Sequence, residues 1–437
     1  MIFKRRIVGS LVFVALTALL LYAFYTCFRD YGFWTLLYIP ETCILLMCIY
    51  VFLPAVIFFT GRSKIKKTFV STLPERDTVH NFFTILIPAH NEERLLPALL
   101  ESLLHQTYAR EYYQVIVVAD NCKDRTATIA ELYGMHYLER FTKQASNKHE
   151  ALQYAIENFE FTPCWQNGYI CIMDADCEAH PDFLREMNQQ LAANAKTEAI
   201  QSYRFVKNIY DSHITVLDGA GEALRNWVFS APRKWIGTSV FGNGSGIVFR
   251  KQLFEKLLLL PGSHLAEDKE WNAYLAEHHT KVDYCACAQL GYEAVASKKD
   301  FHKQRKRWIG SHFAMMGKYG MKMFVQSITN LNVMQFDCFC ALMQLPRSLL
   351  LMCCLFFSAF SFLLPQSSYL SLAGWLIVMI SLVLYGVLGL YLVKARKKDY
   401  LAILSILGLM SGIIKTTFVS ITGKGISQWN ATRIKNE

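Results

Sequence analysis

Charge is what this sequence has least of. Only 18% of its 437 residues are Asp, Glu, Lys or Arg, against about 25% in an ordinary soluble domain. That deficit excludes a disordered, charge-solvated chain and argues against a protein that is soluble along its whole length. Paired cysteine spacing is also missing. Thirteen cysteines are scattered through a chain far too long for a small disulfide scaffold, so they read as buried or membrane-embedded thiols in a reducing compartment. No G-x-G-x-x-G follows the first strand-like run, which counts against dinucleotide-dependent hydride transfer. His278-His279 and Cys285-x-Cys287 lack the spacing of a zinc finger.

What is present is apolar surface, and it sits at the two ends. Ile7–Phe28 runs 22 residues without a charge, Thr42–Thr60 runs 19, and Tyr369–Val393 runs 25. Each can cross a hydrocarbon core of about 30 Å at about 1.5 Å per residue. Cys338–Leu364 is a further candidate interrupted by Pro346 and Arg347, and Leu401–Ile414 is apolar over a shorter stretch. Lys4, Arg5 and Arg6 precede the first run, and Arg62, Lys64, Lys66 and Lys67 follow the second. By the positive-inside rule both flanks are cytoplasmic. Three regions are expected: two N-terminal membrane helices over 1–61, a cytoplasmic domain over 62–335 ending in interfacial helices, and C-terminal membrane helices with a short basic tail over 336–437. The protein is then a multi-pass component of the cell (inner or plasma) membrane.

The middle region alternates strand and helix. Phe82–Pro88, Gln114–Ala119 and Gly168–Met173 are short apolar runs that each end in polar residues, as buried parallel strands do. Leu95, Leu99, Leu103 and Leu104 recur at helical spacing after the first, a helix runs through Ala130 after the second, and Pro181 opens another after the third. The alternation predicts an α/β domain with a mostly parallel sheet, in which ligands bind beyond the carboxyl ends of the strands.

The chemistry-bearing residues fall at those ends. Asp174 and Asp176 form a D-x-D directly after the third strand. They are a hard-oxygen pair suited to Mg²⁺ or Mn²⁺ beside phosphate oxygens, or else solvated loop acids. Asp120 closes the second strand and could accept from a nucleobase or ribose, or form an Asx turn. Lys148 opens a helix-like stretch and could meet a phosphate. Glu267-Asp268 precede Trp271. An acid near an apolar indole can serve as a general base, and an acid in a first helical turn can equally be held by the helix dipole. Six basic residues and one acid lie between Lys298 and Arg307, a run that fits anionic head groups or a diphosphate better than nucleic acid. Arg307 offers a bidentate clamp, and Trp308 a flat face for a sugar. Gly242–Gly246 could let backbone approach a ligand closely, or equally be a plain loop.

In order, Pro88-Ala-His-Asn-Glu92, Asp120, Asp174-Ala-Asp176, Glu267-Asp268 and Gln304-x-x-Arg307-Trp308, followed by membrane helices, resemble the family 2 glycosyltransferases of GT-A fold. The likeness is to the membrane-integrated branch that includes cellulose, hyaluronan and poly-N-acetylglucosamine synthases, and it covers about 82–310. The resemblance implies nucleotide-sugar binding by Asp120, Lys148, Asp174, Asp176 and Arg307. It implies a metal (Mg²⁺ or Mn²⁺) at Asp174 and Asp176, Asp268 as catalytic base, and acceptor binding by Gln304, Trp308, Gly244 and Ser245. The family's glycine before the lysine is Asn147 here. Trp429-Asn-Ala-Thr-x-Arg433 is similar to an ending of this branch. A cytoplasmic ending requires an even number of crossings after the domain, so Leu401–Ile414 is expected to be interfacial or re-entrant.

The expected activity is inverting transfer from a UDP-sugar to a growing glycan, as in a processive capsule- or exopolysaccharide-type synthase. The alternative is transfer of one sugar to a polyprenyl-phosphate-linked or other lipid acceptor. The expected partners are the donor, a glycan or lipid-linked acceptor, the membrane and export or accessory subunits, and not nucleic acid. Glu41, Gln344 and Arg347 are polar groups that could line a product path. A non-catalytic membrane subunit is the rival class, and the retention of every motif acid argues against it.

Overall fold

A computed structural model of the chain describes residues 22, 25, 26, 29, 35–72, 79–143, 147–161, 167–260 and 267–403. Most of the 7–28 run, the segment beyond 403 and the Trp429–Arg433 ending lie outside the described residues.

The strands are β1 (Phe83–Ala89), β2 (Tyr113–Asp120), β3 (His136–Arg140), β4 (Tyr169–Ile172), β5 (Cys177–Ala179), β6 (Ala199–Val206), β7 (Ile247–Arg250) and β8 (Val282–Tyr292). They form one sheet in the order β3-β2-β1-β4-β7-β6-β8-β5. β3, β2, β1 and β4 are mutually parallel, the arrangement the alternation predicted. Beyond β4 the sheet is mixed: β7 enters antiparallel between β4 and β6, β8 runs parallel to β6, and β5 is antiparallel to β8. β3 has no apolar run to announce it because it is an edge strand, with His136, Tyr137 and Glu139 exposed.

The helices are α1 (Thr35–Lys67), α2 (Leu96–Leu104), α3 (Thr126–Leu132), α4 (Lys148–Asn158), α5 (Phe183–Ala193), α6 (His213–Ala223), α7 (Ala231–Ile236), α8 (Lys251–Leu258), α9 (Glu267–Glu277), α10 (Lys298–Thr329), α11 (Val333–Met343), α12 (Arg347–Leu363) and α13 (Leu372–Leu392). Successive strand side chains point to opposite faces, and the core divides accordingly. Ile85, Ile87, Val115 and Val117 pack with Leu96, Leu99 and Leu103 of α2 and Phe183 of α5. Leu86, Ile116, Val118 and Ile170 pack with Leu152 of α4, Phe254 of α8 and Trp271 of α9. This second cluster continues through Leu224, Val228 and Ala231 to Val51 and Phe58 of α1, Leu350 of α12 and Trp375 of α13. The α/β domain and the apolar helices therefore share one core.

Two described helices are long and apolar enough to cross a membrane, Tyr38–Lys67 within α1 and Leu372–Leu392, and they coincide with two of the runs read from sequence. The 338–364 candidate resolves into α11 and α12, bent by 72° at Gln344–Pro346. The interruption falls where Pro346, which has no N–H to continue a helical ladder, precedes Arg347. Arg233 of α7 joins the domain to α11 and α1: its guanidinium donates to both oxygens of Asp337, at 3.1 and 2.8 Å, and Tyr50 of α1 donates to Asp337 Oδ1 at 2.7 Å. Glu41 is not among the residues lining the cavity over the carboxyl ends of β1 and β4. It is fully buried, accepts from Ser368 at 2.9 Å and from the Tyr369 N–H at 2.6 Å, and so pins the loop before α13.

Candidate active site

One cavity of about 550 Å³ opens over the carboxyl ends of β1 and β4. It brings together Lys148, Asp174, Asp176, Gly244, Ser245, Asp268, Gln304, Arg307 and Trp308. These come from α4, the β4–β5 bend, the loop before β7, α9 and α10. Pro88, His90 and Glu92 of the first motif line it as well.

The D-x-D occupies the bend at which the chain leaves the central sheet for β5 at its far edge. The Asp174 N–H donates to Ser245 Oγ at 2.9 Å, which locks this bend to the glycine-rich loop. Asp174 is 39% exposed, whereas Asp176 is buried. Lys148, the first residue of α4, places its ammonium 2.5 Å from Asp174 Oδ1, 2.6 Å from the Gly244 carbonyl and 3.8 Å from Glu267 Oε1. Burial works against that cation, but Asp174 and Glu267 outweigh it and hold its pKa above the ordinary lysine value. An all-oxygen surrounding that favours positive charge, with two hard carboxylates two residues apart, fits Mg²⁺ or Mn²⁺ sharing its ligands with phosphate oxygens.

The loop geometry requires glycine. Gly246 adopts φ +68°, and a Cβ on Gly244 would lie 3.3 Å from both Glu267 Oε1 and Lys148 Nζ. Asn147 caps α4 by accepting from the His149 N–H at 3.0 Å. Its φ of −144° is extended backbone open to any residue, which is why the departure from the family's glycine is tolerated.

Glu267 and Asp268 open α9, with Glu270 also in the first turn, so the helix-dipole reading of these acids holds locally. Burial, opposed by Lys148 and reinforced by Asp268, raises the Glu267 carboxyl. The indole is not the cause: Trp271 packs into the core against Phe249 and Phe254. Gln304 is buried at the cavity wall, and Trp308, 36% exposed, lies under the Arg305 guanidinium at 4.8 Å.

Asp120 is not among the lining residues. It is fully buried, accepting from Arg140 at 2.7 Å and from the Asn147 N–H at 3.1 Å. Its backbone carbonyl lies 2.6 Å from His90 Nδ1, so Asp120 ties the ends of β1 and β2 to the start of α4.

Several lining residues were not singled out in the sequence. Arg225, Phe229 and Ser230 lie on a π-helical stretch, Leu224–Ser230, between α6 and α7. Such widened turns cluster at functional sites, and no composition signal announces them. Lys269 directly follows the acid pair, and burial, opposed by Asp268 and aided by Arg225, pushes its ammonium down to about 8. Burial and the Lys269 charge push His312 down to about 4. Toward the apolar helices the same cavity reaches Tyr50, Gln344, Arg347 and Tyr385.

Residues 80–311, more than half of the chain, match the family described as glycosyltransferase like family 2. The chain is 25% identical over 229 residues to the probable glycosyltransferase YdaM of Bacillus subtilis, covering 52% of this chain and 54% of that one. It is 24% identical over 232 residues to the beta-monoglucosyldiacylglycerol synthase of Trichormus variabilis, covering 52% and 48%. The chain thus spans about half the length of these curated relatives. Among solved structures, the mannosyltransferase PcManGT from Pyrobaculum calidifontis, in complex with GDP-Man and Mn²⁺, superposes with a TM-score of 0.52 at 15% identity, over 88% of this chain and 100% of that one. The sheet is of the GT-A type, and the chain belongs to glycosyltransferase like family 2.

Proposed function

We propose that this protein is an inverting glycosyltransferase that moves a sugar from a UDP-sugar to a hydroxyl of a lipid-carried acceptor at the cytoplasmic face of the membrane. The observation that carries the reading is the continuity of one cavity from Asp174 and Asp268 to Tyr50 and Tyr385 of the two apolar helices. A donor entering from the aqueous side and an acceptor entering from the membrane would meet at Asp268. The curated relative named for diacylglycerol glucosylation supports an acceptor of this kind.

Asp268 takes the proton of the acceptor hydroxyl, whose oxygen forms a bond to the anomeric carbon as the bond to the UDP oxygen breaks. Lys148 and Arg307 meet the negative charge that gathers on the departing diphosphate. When bound by Asp174 and Asp176, Mg²⁺ or Mn²⁺ supplies Lewis-acid neutralisation of that leaving group. Gln304 and Trp308 orient the acceptor, and Gly244 and Ser245 form the floor beneath it. Asp120 acts from behind, holding Arg140 and Asn147 and so the edge on which the base would rest.

A processive polymer synthase is the second reading, favoured by the exposed Trp308 face at the cavity wall. Incubating the purified full chain in nanodiscs with single radiolabelled UDP-sugars separates the two. One organic-extractable product supports the lipid acceptor, and a ladder supports the polymer. Absence of transfer from every UDP-sugar overturns both.

A further inference from the structure

Six cations and six carboxylates line the cavity, and not every cation is paired. Lys269 and Arg347 line it, and neither lies within salt-bridge distance of a carboxylate among the described residues. They belong to one connected wall. Burial and the Lys269 charge push the His312 ring down to about 4, and His312 and Gln344 line the same cavity. Gln344 and Arg347 bracket the break between α11 and α12, and the Arg347 guanidinium lies 5.4 Å from the Tyr385 ring of α13. Arg347 also opens α12, whose N-terminus adds partial positive charge at the same place.

Two polar atoms of this wall, His312 Nε2 and Gln344 Oε1, are buried and have no hydrogen-bond partner among the described residues. Gln344 Oε1 needs a donor, as His312 Nε2 does when Nδ1 holds the ring proton, and a hydroxyl-bearing head group would supply one. Val51, Phe229, Phe241, Leu342 and Tyr385 supply apolar wall to the same cavity. One cavity thus combines the Asp268 carboxylate, two cations without a carboxylate partner among the described residues, two orphaned polar atoms and apolar side chains, which is the chemistry of a site for an anionic amphiphile.

We infer that this end of the cavity binds a lipid whose head group carries both a phosphate and a free hydroxyl. The phosphate lies against Lys269 and Arg347, the hydroxyl lies at Asp268, and the chains run between α1, α11 and α13. The inference rests on the reading that the acceptor occupies this cavity, and it narrows that acceptor to a phospholipid. The phosphate is bound, not transferred: the new glycosidic bond forms on the hydroxyl, and the phosphate remains esterified to the lipid.

The test measures binding to the full chain in neutral maltoside micelles, without donor, using three probes. Dioleoylphosphatidylglycerol has phosphate, hydroxyl and chains, dioleoylglycerol lacks the phosphate, and sn-glycerol 3-phosphate lacks the chains. The first is expected to bind about tenfold or more tightly than either of the others, the scale of one charge-assisted contact. Lys269→Gln and Arg347→Gln are each expected to reduce its affinity to that of dioleoylglycerol with UDP affinity unchanged, and Lys269→Arg to retain the preference. Equal binding of dioleoylglycerol would overturn the phosphate site, as would both Gln variants keeping the wild-type preference. Equal binding of sn-glycerol 3-phosphate would make it a soluble-anion site and overturn the lipid. Because no donor is present, a protein that binds the phospholipid yet transfers no sugar would refute the activity and leave this site standing.

Discussion

The Lys148 ammonium and the Asp174 carboxylate form a contact of 2.5 Å, with the Gly244 carbonyl 2.6 Å from the same nitrogen. The lysine thus bridges the acidic bend to the glycine-rich loop, and in the proposed function the same cation meets a donor phosphate. Lys148→Met is expected to raise the donor KM by about tenfold or more, the scale of a lost charge-assisted hydrogen bond, and to lower kcat as well, because the same cation meets the charge that develops on the leaving diphosphate. Donor-dependence kinetics check it, and an unchanged KM would remove Lys148 from the donor site.

Removal of divalent metal tests the neighbouring carboxylates. Chelation is expected to lower transfer by about 100-fold or more, and added Mn²⁺ or Mg²⁺ to restore it. In Asp174→Asn the same titration is expected to need far more metal for half-maximal activity. Full activity in excess chelator would contradict the metal assignment.

Lys269 supplies a pH dependence with a definite sign. Its folded-state value, about 8, lies below the ordinary 10.5, so the cation is lost as pH rises through about 8. The groups that face it are Asp268 on α9, Arg225 on the π-helical stretch and His312 on α10. Affinity for an anionic acceptor is therefore expected to fall above pH 8. The unfolded lysine stays protonated up to about 10.5, so the burial penalty on the charged form fades over the same window, and the empty protein gains stability from this group as pH rises. Acceptor affinity measured at pH 7 and pH 9 reads the first effect, and its loss in Lys269→Arg assigns the residue.

Much of the fold was legible because the parallel strands are buried on both faces and read as continuous apolar runs. Ile85, Leu86 and Ile87 have no exposure at all. β3 was not legible, since an edge strand needs no apolar face, and neither was the antiparallel entry of β7, which depends on long-range pairing. The site divides the same way. Asp174, Asp268 and Arg307 are carried by compact motifs and converge on one cavity. Asp120 is legible as a carboxylate at a strand end, but the sequence does not reveal that Arg140, 20 residues later, returns to pair with it. Lys269 acquires its character from burial, Asp268 and Arg225, and His312 from burial and Lys269.

The Arg233–Asp337 pair is expected to hold the α/β domain against α11. Arg233 is 7% exposed and Asp337 21%. Asp337→Ala leaves that guanidinium without its partner, and is expected to destabilise the fold by about 3 kcal/mol. Thermal unfolding in nanodiscs measures this, and an unchanged Tm would mean that the apolar contacts of α1 carry the docking alone.

Asp268 carries the central claim. In Asp268→Asn the side chain keeps its size and place at the start of α9 but can no longer take a proton. Transfer by the full chain in nanodiscs is expected to fall by about 10³-fold, within the range of a lost general base, while UDP affinity stays within about twofold of wild type. Wild-type turnover in that variant would contradict the account.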